Sequence, residues 1–152
     1  MKLNALYEFQ GILDLYWDEL QGIRHIHRAP NAGHGLDAGR DYALTTIAVF
    51  FRHAAAGKTL PEISWTPQLS DNSVGFTVKP SAAPLAVRIW TARSASNDFR
   101  ESQWTSAELQ AVEGQYTGTA AKNGEERVAV FGEVQYEYEG LKYSVNTLVW
   151  WK

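Results

Sequence analysis

The chain has 152 residues, of which 45% are hydrophobic and 20% charged, a balance that supports a folded core and excludes a disordered chain. Its formal net charge is -3, and the scattered Lys and Arg make no basic stripe, so nucleic acid is not an expected partner. No apolar run is long enough for a membrane-spanning helix, and the absence of cysteine removes disulfides and thiolate metal sites.

In chain order, Met1 to Leu6 carries one lysine and no long apolar core, so it does not read as a signal peptide and the compartment is left open. Lys2 to Leu6 reads as a short strand. Phe9, Ile12, Leu13, Tyr16, Trp17 and Leu20 fall on one face of a helix, with Gly22 as its C-cap. Ile23 to Arg28 reads as a second strand, ended by Ala29-Pro30. An Asn31-Ala32-Gly33 turn then presents His34. Asp37 is the expected cap of a second helix, whose buried face would be Leu44, Ile47, Ala48 and Phe51 and whose stop is Gly57. A strand-helix-strand unit normally joins parallel strands by a right-handed crossover. Two such strands cannot cover both helices, so the apolar faces must pack on the rest of the chain or on a second copy, and a homodimer is expected.

From about Pro61 the pattern becomes β-rich. Val74, Phe76 and Val78 alternate with Gly75, Thr77 and Lys79, and Leu85, Val87 and Ile89 alternate with Ala86, Arg88 and Trp90. Val128–Tyr138 and Leu141–Trp151 are long β runs joined at Glu139-Gly140, a hairpin signal. Turn clusters at 70–72, 80–84 and 122–124 separate the strands. The expected class is therefore α+β. A short βαβα segment over 1–60 resembles the end of an α/β-hydrolase sheet. An antiparallel, immunoglobulin-like β-sandwich follows over 61–152.

The chemistry concentrates at His34. A histidine on a loop just past a strand, flanked by small residues, is how an α/β serine hydrolase displays its general base. The chain has no G-x-S-x-G nucleophile elbow, and Ser64, Ser70 and Ser73 lie in the β region. A histidine base needs a nucleophile within reach and an orienting carboxylate. Without them, His34 reads first as a residue that holds its own loop. His25 and His27 alternate along the second strand and share a side. A three-imidazole site with His34 is outweighed by an ordinary polar strand face, and no metal or cofactor is assigned. His53, at a helix end, reads as structural. Glu133, Glu137 and Glu139 read as a solvated strand face. The 6 Trp, 7 Tyr and 6 Phe are first of all core and cross-strand packing. Their other use is a carbohydrate-type platform or a protein-binding surface, with Trp104, Tyr136, Tyr138, Trp150 and Trp151 as candidate anchors.

The strings Tyr16-Trp17-Asp18-Glu19-Leu20-Gln21-Gly22 and Pro30-Asn31-Ala32-Gly33-His34-Gly35-Leu36 resemble the PhoPQ-activated pathogenicity-related protein family. So do Gly57-Lys58-Thr59-Leu60-Pro61 with Ile63-Ser64-Trp65, and Trp90-Thr91-Ala92 with Asn97-Asp98-Phe99-Arg100. The resemblance implies an exported α/β-hydrolase with a β-rich C-terminal extension, of which this chain would be about the last third. It places His34 on the catalytic base. It also puts Ala5 where the family's aspartate is expected, leaving Glu8 and Asp14 as the nearest carboxylates. The nucleophilic serine has no counterpart. A complete enzyme would transfer an acyl group to water, and the chain alone is expected not to catalyse. The alternative is a non-catalytic β-sandwich that binds a ligand or partner.

Overall fold

The computed structural model describes residues 17–22, 24–33 and 35–152. After a short 3-10 turn at Trp17–Glu19 there is one α-helix, α1 (Arg40–Ala55). Nine strands follow: β1 (Ile63–Leu69), β2 (Ser73–Pro80), β3 (Ala86–Ser94), β4 (Thr105–Glu108), β5 (Ala111–Val112), β6 (Gln115–Ala121), β7 (Arg127–Tyr138), β8 (Leu141–Asn146) and β9 (Trp150–Trp151). They form two sheets, one in the order β1-β2-β6-β5 and the other β4-β3-β7-β8, with β9 also pairing β7. Every strand pair is antiparallel.

The sandwich follows from two-residue periodicity. Directly paired residues share a face, and Val87↔Val134, Ile89↔Gly132 and Tyr136↔Tyr143 all point into the space between the sheets. From the opposite sheet, Val74, Phe76 and Val78 enter the same core, each with no exposed surface. The hairpin at Glu139-Gly140 forms as the sequence implies. Tyr138 pairs with Leu141, and both turn residues take positive φ, 51° and 76°, as a two-residue primed turn requires.

The alternate face of the second sheet carries a smaller core. Trp90↔Phe131 and Ala92↔Ala129 lie opposite one another, and Phe99, Trp104 and Val149 join them. Val149 reaches that face because the long run after Leu141 is interrupted. Thr147 leaves β8, its N–H donating to Gly132 O (2.9 Å) while its Oγ1 accepts from Gly132 N–H (2.8 Å). The chain then returns to β7 as β9.

The region before Leu60 departs from expectation. Lys2–Leu6 and most of the first expected helix lie outside the described residues. The stretch expected as a second strand makes a single antiparallel bridge, Ile26↔Asn146, and no parallel strand pair occurs among the described residues. Its backbone instead lies against β8. The cap of α1 is Gly39, without a side-chain cap bond, rather than Asp37. The helix also presents the opposite face from the one expected. Ala43, Thr46, Val49 and His53 are buried, whereas Leu44, Ile47 and Phe51 are 54%, 51% and 63% exposed, and Ala48 is exposed too. The physical reason is fit. α1 packs along β8, where the His53 ring meets Tyr138 (4.1 Å) and Tyr143 (6.2 Å). Small and compact side chains let the helix approach those two tyrosines, and Val49 reaches the main core beside Leu60.

Candidate functional site

His34 itself lies outside the described residues, and the segments on both sides of it are well defined. Before it, Asn146 N donates to Ile26 O (2.8 Å) and Arg28 N donates to Asn146 Oδ1 (2.8 Å). The Arg28 guanidinium sits 5.8 Å over the Phe131 ring. Asn31 then makes a reciprocal pair with one backbone unit. Its Nδ2 donates to Trp104 O (2.9 Å), and its Oδ1 accepts from Trp104 N (2.7 Å). Asn31 has φ 60°, a conformation asparagine tolerates better than most residues. After His34, Leu36 N donates to Gly33 O and Gly39 N to Leu36 O, both at 2.9 Å. The loop ends meet at Gly39, where a Cβ would lie 2.8 Å from the Ala29 methyl. Only glycine fits there.

A half-buried polar cluster lies between this segment, α1 and the second sheet. His27 Nδ1 is 3.2 Å from Ser144 Oγ, and its ring packs edge-on against Tyr42 (5.4 Å). Gln135 Nε2 donates to the Tyr42 hydroxyl (3.1 Å). Burial pushes the His27 pKa down, offset in part by Ser144 and the Glu133 charge, and burial pushes the Tyr42 pKa up. Ser144 is 1% exposed, so a substrate carbonyl cannot reach its hydroxyl and this Ser–His contact serves packing. His25 has its pKa lowered by burial, with Glu62 opposing. Among the described residues no three His, Cys, Asp or Glu side chains are grouped to hold a metal.

Glu133 departs from the solvated reading. It is 6% exposed, accepts from Trp90 Nε1 at 2.9 Å and lies 3.7 Å from Arg88. The indole N–H and the guanidinium satisfy the buried carboxylate. Glu137 and Glu139 are exposed, and Glu139 pairs with Arg52 at 2.9 Å.

The five candidate aromatic anchors separate. Trp104 and Tyr136 are buried, at 7% and 4% exposure, and offer no ring face to a partner. Trp104 packs in the smaller core, its ring tilted against Phe131 at 5.1 Å. Tyr136 is stacked on Tyr143 at 5.6 Å, with its hydroxyl buried, without a hydrogen bond and pushed to a high pKa by desolvation. Strand alternation carried Tyr136 inward, whereas the loop before β4 lays Trp104 on the covered outer face of the second sheet. Tyr138 is half-buried under His53, and Trp151 is exposed. Trp150 is half-buried, 5.8 Å from Phe76, and lines an open cleft of about 450 Å³ with Trp17, Asp18, Ile63, Ser64, Trp65, Pro67 and Leu148. In the sequence Trp17 belongs to a helical apolar face and Trp65 to the string Ile63-Ser64-Trp65. Nothing in their spacing marks them as neighbours, since they meet across 48 residues, with ring centroids 6.0 Å apart.

No helix among the described residues is long and apolar enough to cross a membrane. No curated protein matches the chain. Among solved structures, the chain is similar to the Br derivative of BhCBM56, at 14% identity and a TM-score of 0.41 over 62% of this chain and 94% of that one. It is also similar to a carbohydrate-binding module family 56 β-1,3-glucan binding domain, at 14% identity and 0.37 over 60% and 98%. The model of the PhoPQ-activated pathogenicity-related protein family matches residues 9–100. That match spans more than half of the chain, and the chain belongs to the PhoPQ-activated pathogenicity-related protein family.

Proposed function

We propose that this chain is the C-terminal part of a serine-hydrolase-type protein, not catalytic alone, whose β-sandwich holds the loop that presents His34. The observation that carries the reading is the double anchoring of the segment that leads into that loop. Asn146 fixes the backbone at Ile26 and Arg28, and the Trp104 peptide unit fixes Asn31. A general base must be held within a fraction of an ångström of its working position. Hydrogen bonds to two different parts of a rigid sandwich supply such a hold.

The division at about residue 60 fits this reading. Residues 1–60 would be the end of the hydrolase-like domain and 61–152 the sandwich. The strand order supports an immunoglobulin-like type. With β1, β2, β6 and β5 as strands A, B, E and D, and β4, β3, β7 and β8 as C′, C, F and G, the two sheets take the A-B-E-D and C-F-G orders of that fold. The helix before Leu60 also leaves an apolar face to be covered. The outer stripe of α1, Leu44, Ile47 and Phe51, is apolar and exposed. In the isolated chain that stripe pairs with a second copy, giving a homodimer.

Activity decides the first part. The chain should give no steady hydrolysis of p-nitrophenyl esters, and a rate that disappears in His34→Ala would overturn the reading. Hydrogen exchange decides the second. Asn31→Ala should speed exchange of the amides from Ala32 to Gly39 and leave β7 and β8 protected. Unchanged loop exchange would remove the anchoring argument.

A further inference from the structure

We infer that the mouth between the two sheets, where β1 faces β9, is a binding site for a neutral oligosaccharide. The inference is independent of the role proposed for His34. Trp65 pairs with Val78 and Trp150 with Val130, so both indoles share the inward faces of their sheets. Both strands leave this rim open, and neither indole is fully covered. Phe76 backs Trp150 at 5.8 Å. Trp17 enters from the segment before the sandwich and lies 6.0 Å from Trp65, with the rings inclined at 40°.

The result is an open cleft of about 450 Å³ with three indoles in its walls and Asp18 also in its lining, within the usual range for ligand sites. A pyranose ring matches that lining. Its C–H face packs on an indole, and its hydroxyls donate to a carboxylate beside it.

Charge narrows the class. Among the described residues, Asp18 is the one ionisable residue in the lining. The nearby Arg24 guanidinium is engaged 4.9 Å over the Trp17 ring. Among the described lining residues, an acidic glycan would meet a carboxylate and no cation. A quaternary ammonium would suit indoles and a carboxylate, but it is far smaller than the cleft, and Arg24 already occupies a face of Trp17.

The test is calorimetric titration of the chain with hexasaccharides of β-linked glucose, mannose and N-acetylglucosamine. Tetramethylammonium and a sulfated hexasaccharide are the comparisons. We expect one neutral series to bind with Kd below about 1 mM. Trp17→Ala should weaken it about tenfold or more and Asp18→Asn about threefold, with the thermal midpoint of Asp18→Asn unchanged. If Trp17→Ala does not fold, indole N–H resonances of the wild-type chain replace it, and those of Trp17, Trp65 and Trp150 should move on titration. No binding of any neutral hexasaccharide at millimolar concentration would overturn the inference. So would binding unaffected by Asp18→Asn with those three resonances unmoved, or preference for either charged comparison compound.

Discussion

In β2, Val74, Phe76 and Val78 alternate, point inward and are fully buried. On α1, Leu44, Ile47 and Phe51 make an equally regular apolar stripe, and it faces outward. The difference lies in what each element packs against. A strand in a sandwich has one inner side, set by its neighbours in the sheet, so alternation fixes which residues enter the core. A helix beside the edge of a sheet can present any face. The face that won on α1 is the compact one that fits Tyr138 and Tyr143, and the apolar stripe was left for another surface.

That contrast can be broken by mutation, and the largest effect should come from the sandwich. Phe76→Ala removes a fully buried ring from the centre of the core and should cost about 3–5 kcal/mol in denaturant unfolding. On α1 the two faces should separate. Val49→Ala should cost about 2 kcal/mol, although the residue it shortens is smaller than the phenylalanine two positions on. Phe51→Ser should change monomer stability by less than about 0.5 kcal/mol and should lower the mass seen in light scattering at micromolar concentration. A larger loss for Phe51→Ser than for Val49→Ala would reverse the assignment of faces.

Smaller effects follow from pH. The His27 pKa lies below its ordinary 6.5, mainly through burial. The unfolded chain therefore takes up a proton first as pH falls, and stability that is complete above 6.5 declines below it. His27→Gln should flatten that decline in thermal melts from pH 7 to 5. An unaltered slope would assign the effect to His25, whose pKa is also lowered by burial. Asp98 should give the smallest change. Hydrogen bonds from the Arg100 side chain and backbone hold its pKa at about 2, against an ordinary 3.8. Its contribution is present above 3.8 and is lost as pH falls toward 2. The pair is exposed, so Asp98→Asn should matter only at low salt and should alter the melt only across that window.

Much of the sandwich was legible because a two-residue period and turn residues are local signals. The Glu139-Gly140 hairpin and the inward sets of β2 and β3 needed nothing else. Glu133 was misread by the same logic. Alternation placed it correctly on the outer face of its sheet, but that face is covered, by residues distant in sequence. The His34 loop was legible as a turn with small neighbours, while its anchor was not, because Asn31 meets Trp104 across 73 positions. Trp17 and Trp65 likewise carry no mark of their meeting.

The amino-acid sequence by itself determined the family, strands β2, β3 and β7, the Glu139-Gly140 turn and the existence of an apolar face on α1. These depend on residue identity and on periods of two and 3.6 residues. Tertiary structure decided which helix face is buried, which aromatics are core, and which side chains gather around the cleft and the His34 loop. Such contacts are settled by the shape and chemistry of surfaces that meet only when the chain closes on itself, and no short-range pattern encodes them.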